Sequence, residues 1–230
     1  MSEMTPAELA KYFDHTLLRA AATDAEFEQL CAEARDHGFM MVAINPFPVE
    51  MCKRLLEDTD VHVGAAVGFP LGQTTLDAKL FETKNALDNG ADEIDYVVNQ
   101  NRLKAGDYAY VEDEMAGIVA LCRESGALSK VIFENCYLTD GEKIKLCEIA
   151  NRVGPDFIKT STGFGSGGAT LEDVKLMRQH ADDHIKVKAS GGIRTLDQVF
   201  EMIEAGVERI GSTSSVAILK EFTESYQEQK

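Results

Sequence analysis

Two periods alternate along this chain. Short, largely apolar runs at 13–18, 39–45, 61–67, 92–98, 130–134, 156–160, 185–190 and 208–212 predict eight strands. Between them the apolar positions recur at helical spacing, and the helix ends are marked. Thr23-x-x-Glu26, Thr139-x-x-Glu142, Thr170-x-x-Asp173 and Thr195-x-x-Gln198 read as capping boxes, in which a hydroxyl and a side chain three residues on satisfy each other's backbone N–H groups. Gly38, Gly90, Gly126, Gly154 and Gly206 stand where a helix terminates in the left-handed conformation that glycine adopts without strain. Thr5-Pro6 opens one further short helix ahead of the first strand.

Eight strand–helix units at this spacing fit a closed parallel barrel or a doubly wound sheet, and the count of eight favours a TIM (β/α)8 barrel. No proline-rich or low-complexity linker interrupts residues 1–230, so a single domain is expected. Barrel chemistry sits at the C-terminal ends of the strands. Polar or glycine-rich residues stand at those ends: Asn45-Pro46, Gly68 to Gly72, Asn99, Glu134-Asn135, Thr160-Ser161-Thr162, Ser190-Gly191-Gly192 and Ser212 to Ser215.

Composition narrows the function. A formal charge of −16 argues against nucleic-acid binding, which rewards basic patches. No apolar run is long enough to span a bilayer and the N-terminus lacks signal-peptide character, so no membrane role and a cytoplasmic location are expected. The five cysteines form no C-x-x-C pair and the five histidines show no metal-ligand spacing, so no metal is expected.

Candidate chemistry is concentrated in two lysines. Lys159 ends an apolar strand just before Thr160-Ser161-Thr162-Gly163, and Lys188 ends the next strand before Ser190-Gly191-Gly192. A strand-end lysine can simply snorkel to solvent, and Lys188 read alone could be a surface residue with its own acidic partner. Buried together, two such amines depress each other's pKa, and a neutral amine attacks carbonyls to form a Schiff base. Lys186 shares the face of Lys188 but lies at the wrong end. Asp95, inside an apolar strand, must be paired or protonated and is suited to proton transfer. Glu93 on the same face lies deeper, where an ion pair is expected. Asp14 is a similar inward candidate, and His15 faces the other way as a packing residue. Gly163, Gly191, Gly192 and Gly211 belong to the turns after strands six, seven and eight. Such loops, with a helix N-terminus, form the phosphate cradle of many barrels through backbone N–H groups and hydroxyls.

These residues, with Gly90-Ala91-Asp92-Glu93-Ile94-Asp95, Asp156 to Gly163, Val187 to Arg194, Arg209-Ile210-Gly211, Asp14-His15-Thr16, Asn45-Pro46 and Gly68 to Gly72, resemble deoxyribose-phosphate aldolase over nearly the whole chain. The resemblance implies a class I aldolase on a TIM barrel, acting on a sugar phosphate and acetaldehyde with no cofactor. By position, Lys159 would be the Schiff-base lysine, Lys188 the residue that tunes it and Asp95 the proton relay. Asp14, Thr16, Asn45 and Thr162 would support them, while Gly163, Gly191, Gly192, Arg194, Gly211, Thr213 and Ser214 would surround the phosphate. A transaldolase-like Schiff-base enzyme and a catalytically silent sugar-phosphate binder are the rivals, and the trio Lys159, Lys188 and Asp95 argues against the second. Homodimer and homotetramer are both left open.

Four positions depart from the commoner family pattern. Ala43 and Gly64 stand where many relatives carry cysteine, Asn135 replaces a frequent threonine, and Ser215 replaces a glycine, which puts the strand-eight turn in question. Tyr226 is expected to lie in a frayed acidic tail.

Overall fold

A computed structural model describes residues 4–228. Eight strands close into a barrel in sequence order: β1 Phe13–Leu17, β2 Met41–Ile44, β3 His62–Val67, β4 Glu93–Val97, β5 Leu128–Ile132, β6 Phe157–Lys159, β7 Lys186–Ser190 and β8 Arg209–Ser212. Every neighbouring pair is parallel, including β8 with β1. The helices are α1 Pro6–Ala10, α2 Asp24–His37, α3 Val49–Leu55, α4 Leu76–Asp88, α5 Gln100–Lys104, α6 Tyr108–Ser125, α7 Asp140–Val153, α8 Leu171–His180, α9 Leu196–Glu204 and α10 Ser215–Glu228. This is the expected TIM barrel with its short additional N-terminal helix, which is capped by a Thr5–Glu8 box.

Alternation along the strands sorts the residues into two compartments. Outward positions such as Val42, Ile44, Val63, Ala65, Ile94, Tyr96, Val131, Ile158, Val187 and Ile210 join the helices in one apolar shell. Inward positions carry Asp14, Glu93, Asp95, Lys130, Lys159, Lys188 and Arg209, all buried. Barrels of this class usually pack their interior with branched apolar side chains. Here the filling is ionic.

Local chemistry also explains where the elements depart from the sequence reading. Strand β5 starts at Leu128, two residues before the expected 130, because Asp156 accepts hydrogen bonds from Ser129 N–H (2.8 Å) and Ser129 Oγ (2.9 Å) and draws that segment into the sheet. It ends at Ile132, so Glu134 belongs to the following turn in a left-handed conformation (φ 58°). Three capping boxes form as expected, at Thr23, Thr139 and Thr195. Thr170 accepts from Asp173 N–H without reciprocation, because the Asp173 carboxylate pairs instead with Lys143 at 2.5 Å. Tyr226 does not lie in a frayed tail: it sits on α10 with its ring 6.1 Å from that of Phe222. Ser215 takes the first position of α10 with its Oγ donating to Ser212 O (3.0 Å), so the missing glycine leaves the strand-eight turn regular. Gly64 is explained by its neighbour in the barrel: a Cβ there would overlap the Met41 thioether, which fills the volume a side chain would need.

Candidate functional site

Strand register creates the site. β6 and β7 pair Lys159 directly with Lys188, and β4 and β5 pair Asp95 with Lys130. The residues after Lys159 brace this register. Ser190 N–H donates to Thr160 Oγ1 (3.2 Å), Thr160 Oγ1 to Ser190 O (3.3 Å), and Ser190 Oγ to Ser161 O (2.6 Å). Thr160 and Ser161 therefore lock the two lysine strands together.

Asp95 is the hub. Its Oδ2 receives Lys159 Nζ and Lys188 Nζ, both at 2.7 Å, while its Oδ1 receives Lys130 Nζ at 2.6 Å. Lys188 also reaches Asp14 Oδ2 at 2.5 Å, and Asp14 Oδ1 accepts from Arg209 Nε at 2.7 Å. Below them Glu93 pairs with Lys130 and with Arg209 Nη2 at 2.7 Å, and its Oε1 lies 2.7 Å from His62 Nδ1. The expected deep ion pair of Glu93 is thus present. Lys188, far from being a surface residue, is fully buried between two carboxylates. Lys186 lies at the other end of its strand and half-exposed. His15 packs outside the barrel, its Nε2 2.7 Å from Glu33.

Charge balance singles out one amine. Three carboxylates (Asp14, Glu93, Asp95) face four cations (Lys130, Lys159, Lys188, Arg209). One uncompensated positive charge remains if all are ionised, and a buried unpaired charge is costly. The Lys159 amine relieves it. Burial pushes its pKa down, Asp95 pulls it back up, and Lys188 and Lys130 push it down again, leaving it lowered to about 8. Lys130 moves the other way: burial lowers it, but Asp95, Glu93 and Asp14 together hold it above the ordinary lysine value. Asp95 is raised by burial, yet Lys130, Lys159 and Lys188 outweigh that and keep the carboxyl well below the usual range.

Above this cluster a cavity of about 270 Å³ opens at the C-terminal ends of the strands. Of the barrel lysines, only Lys159 lines it. The expected phosphate residues Gly163, Gly191, Gly192, Arg194, Gly211 and Thr213 line it too, as do Thr16 and Thr162. Asp14, Asp95 and Lys188 lie in the cluster beneath it, and two further expected residues do not line it. Asn45 donates from Nδ2 to Leu18 O (3.1 Å) and so braces the loop after β1. Ser214 lies just behind the wall, its N–H bonded to Ser212 Oγ (2.9 Å) and its carbonyl accepting Ile218 N–H (3.0 Å) as the cap of α10. The glycines are required by close approach. Gly191 has φ 85°, and a Cβ on Gly168 would overlap the Gly191 carbonyl, where Ala169 N–H lashes the β6 loop to β7 at 3.0 Å. Ala43 also lines the cavity, so the small residue there widens it relative to cysteine.

Three contributors escaped the sequence reading as site residues. Lys130 and Arg209 complete the ionic filling. Glu134 holds the loop after β6, accepting Thr162 N–H at 3.1 Å and bonding the Thr162 hydroxyl, whose oxygen accepts Phe164 N–H at 3.0 Å. The signal for Lys130 lay in its alternation with Ser129 and Val131 inside an apolar run. For Glu134 it lay in the turn position itself. Among the described residues, no three His, Cys, Asp or Glu side chains are grouped to hold a metal ion, and no helix is long and apolar enough to cross a membrane.

A neutral amine at the floor of a cavity, hydrogen-bonded to a carboxylate, can form a carbinolamine with a bound aldehyde and pass protons through that carboxylate. Similar proteins carry the corresponding activity in their names. Deoxyribose-phosphate aldolase of Lactobacillus acidophilus is 53% identical over 211 residues, covering 92% of this chain and 89% of the relative. That of Thermococcus kodakarensis is 50% identical over 219 residues, covering 94% and 98%. A solved structure described as the unique tetrameric structure of deoxyribose phosphate aldolase from Aeropyrum pernix superimposes with a TM-score of 0.88 at 34% identity, covering 95% of this chain and 92% of the other. A family profile described as DeoC/LacD family aldolase matches residues 8–222, and the chain belongs to that family.

Proposed function

We propose that this aldolase reversibly cleaves 2-deoxy-D-ribose 5-phosphate to D-glyceraldehyde 3-phosphate and acetaldehyde through a Schiff base on Lys159. The observation that carries the reading is the hub itself: among three buried lysines around Asp95, Lys159 alone opens on the cavity and has its pKa lowered to about 8. Neutral Lys159 Nζ adds to C1 of the open-chain sugar, and loss of water gives an iminium. The C3 hydroxyl then gives up its proton, the C2–C3 bond breaks, and its electron pair flows into the iminium to leave an enamine and glyceraldehyde phosphate. Protonation at C2 and hydrolysis release acetaldehyde and regenerate the amine. The iminium is the electron sink, so the route calls for no metal or organic cofactor.

Asp95 shuttles the protons, directly or through a water, and Lys188 keeps Lys159 from holding its proton. Asp14 and Lys130 fix Lys188 and Asp95 in place. Gly163, Gly191, Gly192, Arg194, Gly211, Thr213 and the Ser214 helix start receive the phosphate. The enzyme acts in the cytoplasm as a homodimer or homotetramer, an assembly measurable by light scattering. Borohydride reduction in the presence of acetaldehyde tests the chemistry: mass spectrometry should find a single ethyl adduct, on Lys159. An adduct only on Lys188, or none, would overturn the mechanism.

A further inference from the structure

The cavity above Lys159 has a charge character at odds with the rest of the chain. The sequence contains 39 acidic residues, yet among the described residues the cavity lining includes no Asp or Glu and three cations: Lys159, Arg194 and Arg19. The first two have roles in the reading above. Arg19 does not. It stands just past the end of β1, and β1 lies hydrogen-bonded against β8, so its loop adjoins the Gly211-to-Ser214 turn from the side opposite Arg194. Its guanidinium donates to Ala21 O at 2.8 Å and pairs with Glu26, the carboxylate that also caps α2 by accepting Thr23 N–H at 2.9 Å.

We propose that Arg19 is a specificity-determining residue for the phosphate end of the substrate, parked on Glu26 in the free enzyme and turned to the phosphate when it binds. The inference rests on the phosphate-cradle reading of this cavity. A dianion held by backbone N–H groups and one arginine, in a chain of net charge −16, gains from a second guanidinium whose planar fork matches phosphate oxygens. The parking pair is half-exposed on both sides, and exposed pairs are weak, so releasing Arg19 costs little. Among the charged lining groups, Lys159 must be neutral to react, which leaves Arg19 and Arg194 to compensate the phosphate.

The test measures the phosphate preference, the ratio of kcat/KM for 2-deoxy-D-ribose 5-phosphate to that for 2-deoxy-D-ribose. Arg19→Met should lower this ratio about 10- to 100-fold, the worth of one charge-assisted hydrogen bond. The fall should appear mainly in KM of the phosphorylated sugar, and Arg19→Lys should restore part of it. Glu26→Gln keeps the capping box while removing the parking charge. It should lower the inhibition constant of inorganic phosphate a few-fold. An unchanged ratio in Arg19→Met alongside a collapsed ratio in Arg194→Met would overturn the proposal and leave the cradle standing. Unchanged ratios in both variants would overturn the cradle as well. Equal losses on both sugars in Arg19→Met would make it a loop brace, and an unaltered phosphate inhibition constant in Glu26→Gln would remove the parking role.

Discussion

Lys159 and Lys188 approach one and the same oxygen, Oδ2 of Asp95, each at 2.7 Å. Two amines on one acceptor cannot both keep a full charge cheaply, because mutual repulsion offsets part of what the carboxylate returns. Only Lys159 has the cavity beside it, so its proton is the one that substrate chemistry asks to leave.

The pH dependence follows from the Lys159 pKa of about 8. The reactive form is the free amine, so kcat/KM should climb about tenfold per unit as pH rises toward 8 and level off above it. A rate profile flat from pH 6 to 9 would contradict this. Stability gives an independent check. The folded pKa lies below the ordinary 10.5, so between about 8 and 10.5 the unfolded chain binds the extra proton and this group's contribution to stability rises with pH. Lys159→Met leaves three cations with three carboxylates. Its gain in Tm over the parent should therefore be larger at pH 7 than at pH 10.

Lys188→Leu removes the cation that depresses Lys159. The rise in activity should move to higher pH, and the rate at neutral pH should fall on the order of 10²-fold or more, since most Lys159 is then protonated. A folded variant with the parental profile would mean that Lys188 does not tune the amine.

Asp95→Asn is nearly isosteric but cannot shuttle protons. Activity should drop roughly 10²–10⁴-fold. The carboxylate also raises the Lys159 pKa, so its loss should shift trapping of acetaldehyde by borohydride to lower pH even as turnover fails. Exchange of acetaldehyde methyl protons with deuterated water should slow in parallel. Rapid exchange in this variant would transfer the relay to Asp14.

The barrel and Lys159, Lys188 and Asp95 were legible because each depends on local pattern: strand alternation, capping residues, and a lysine placed just before a polar turn. What stayed hidden depends on pairing across the barrel. Lys130 stood at the expected edge of its strand, where lysine is ordinary, but β5 begins two residues earlier, so Lys130 lies within it, paired across the barrel with Asp95 and Glu93. Arg209 opens β8 at a strand edge in the same way and becomes a core cation only because Asp14 and Glu93 lie across from it. Thr160 and Ser161 stand among the polar residues at a strand end, yet the Thr160 hydroxyl is spent on Ser190 of β7 and the Ser161 hydroxyl on Thr160 Oγ1.

The phosphate site can be separated from the lysine chemistry at Ser214. It caps α10, where the helix N-terminus favours anions, and aspartate is as good a cap as serine. Ser214→Asp should therefore fold with an unchanged Tm while setting a fixed negative charge beside Thr213 and Gly211 at the cavity wall. KM for 2-deoxy-D-ribose 5-phosphate should rise on the order of 10-fold or more, as expected for like charges brought together with little water between them. Slow cleavage of 2-deoxy-D-ribose, which carries no phosphate to repel, should change far less. Equal damage to both substrates would place the phosphate elsewhere and reduce the strand-eight turn to a structural cap.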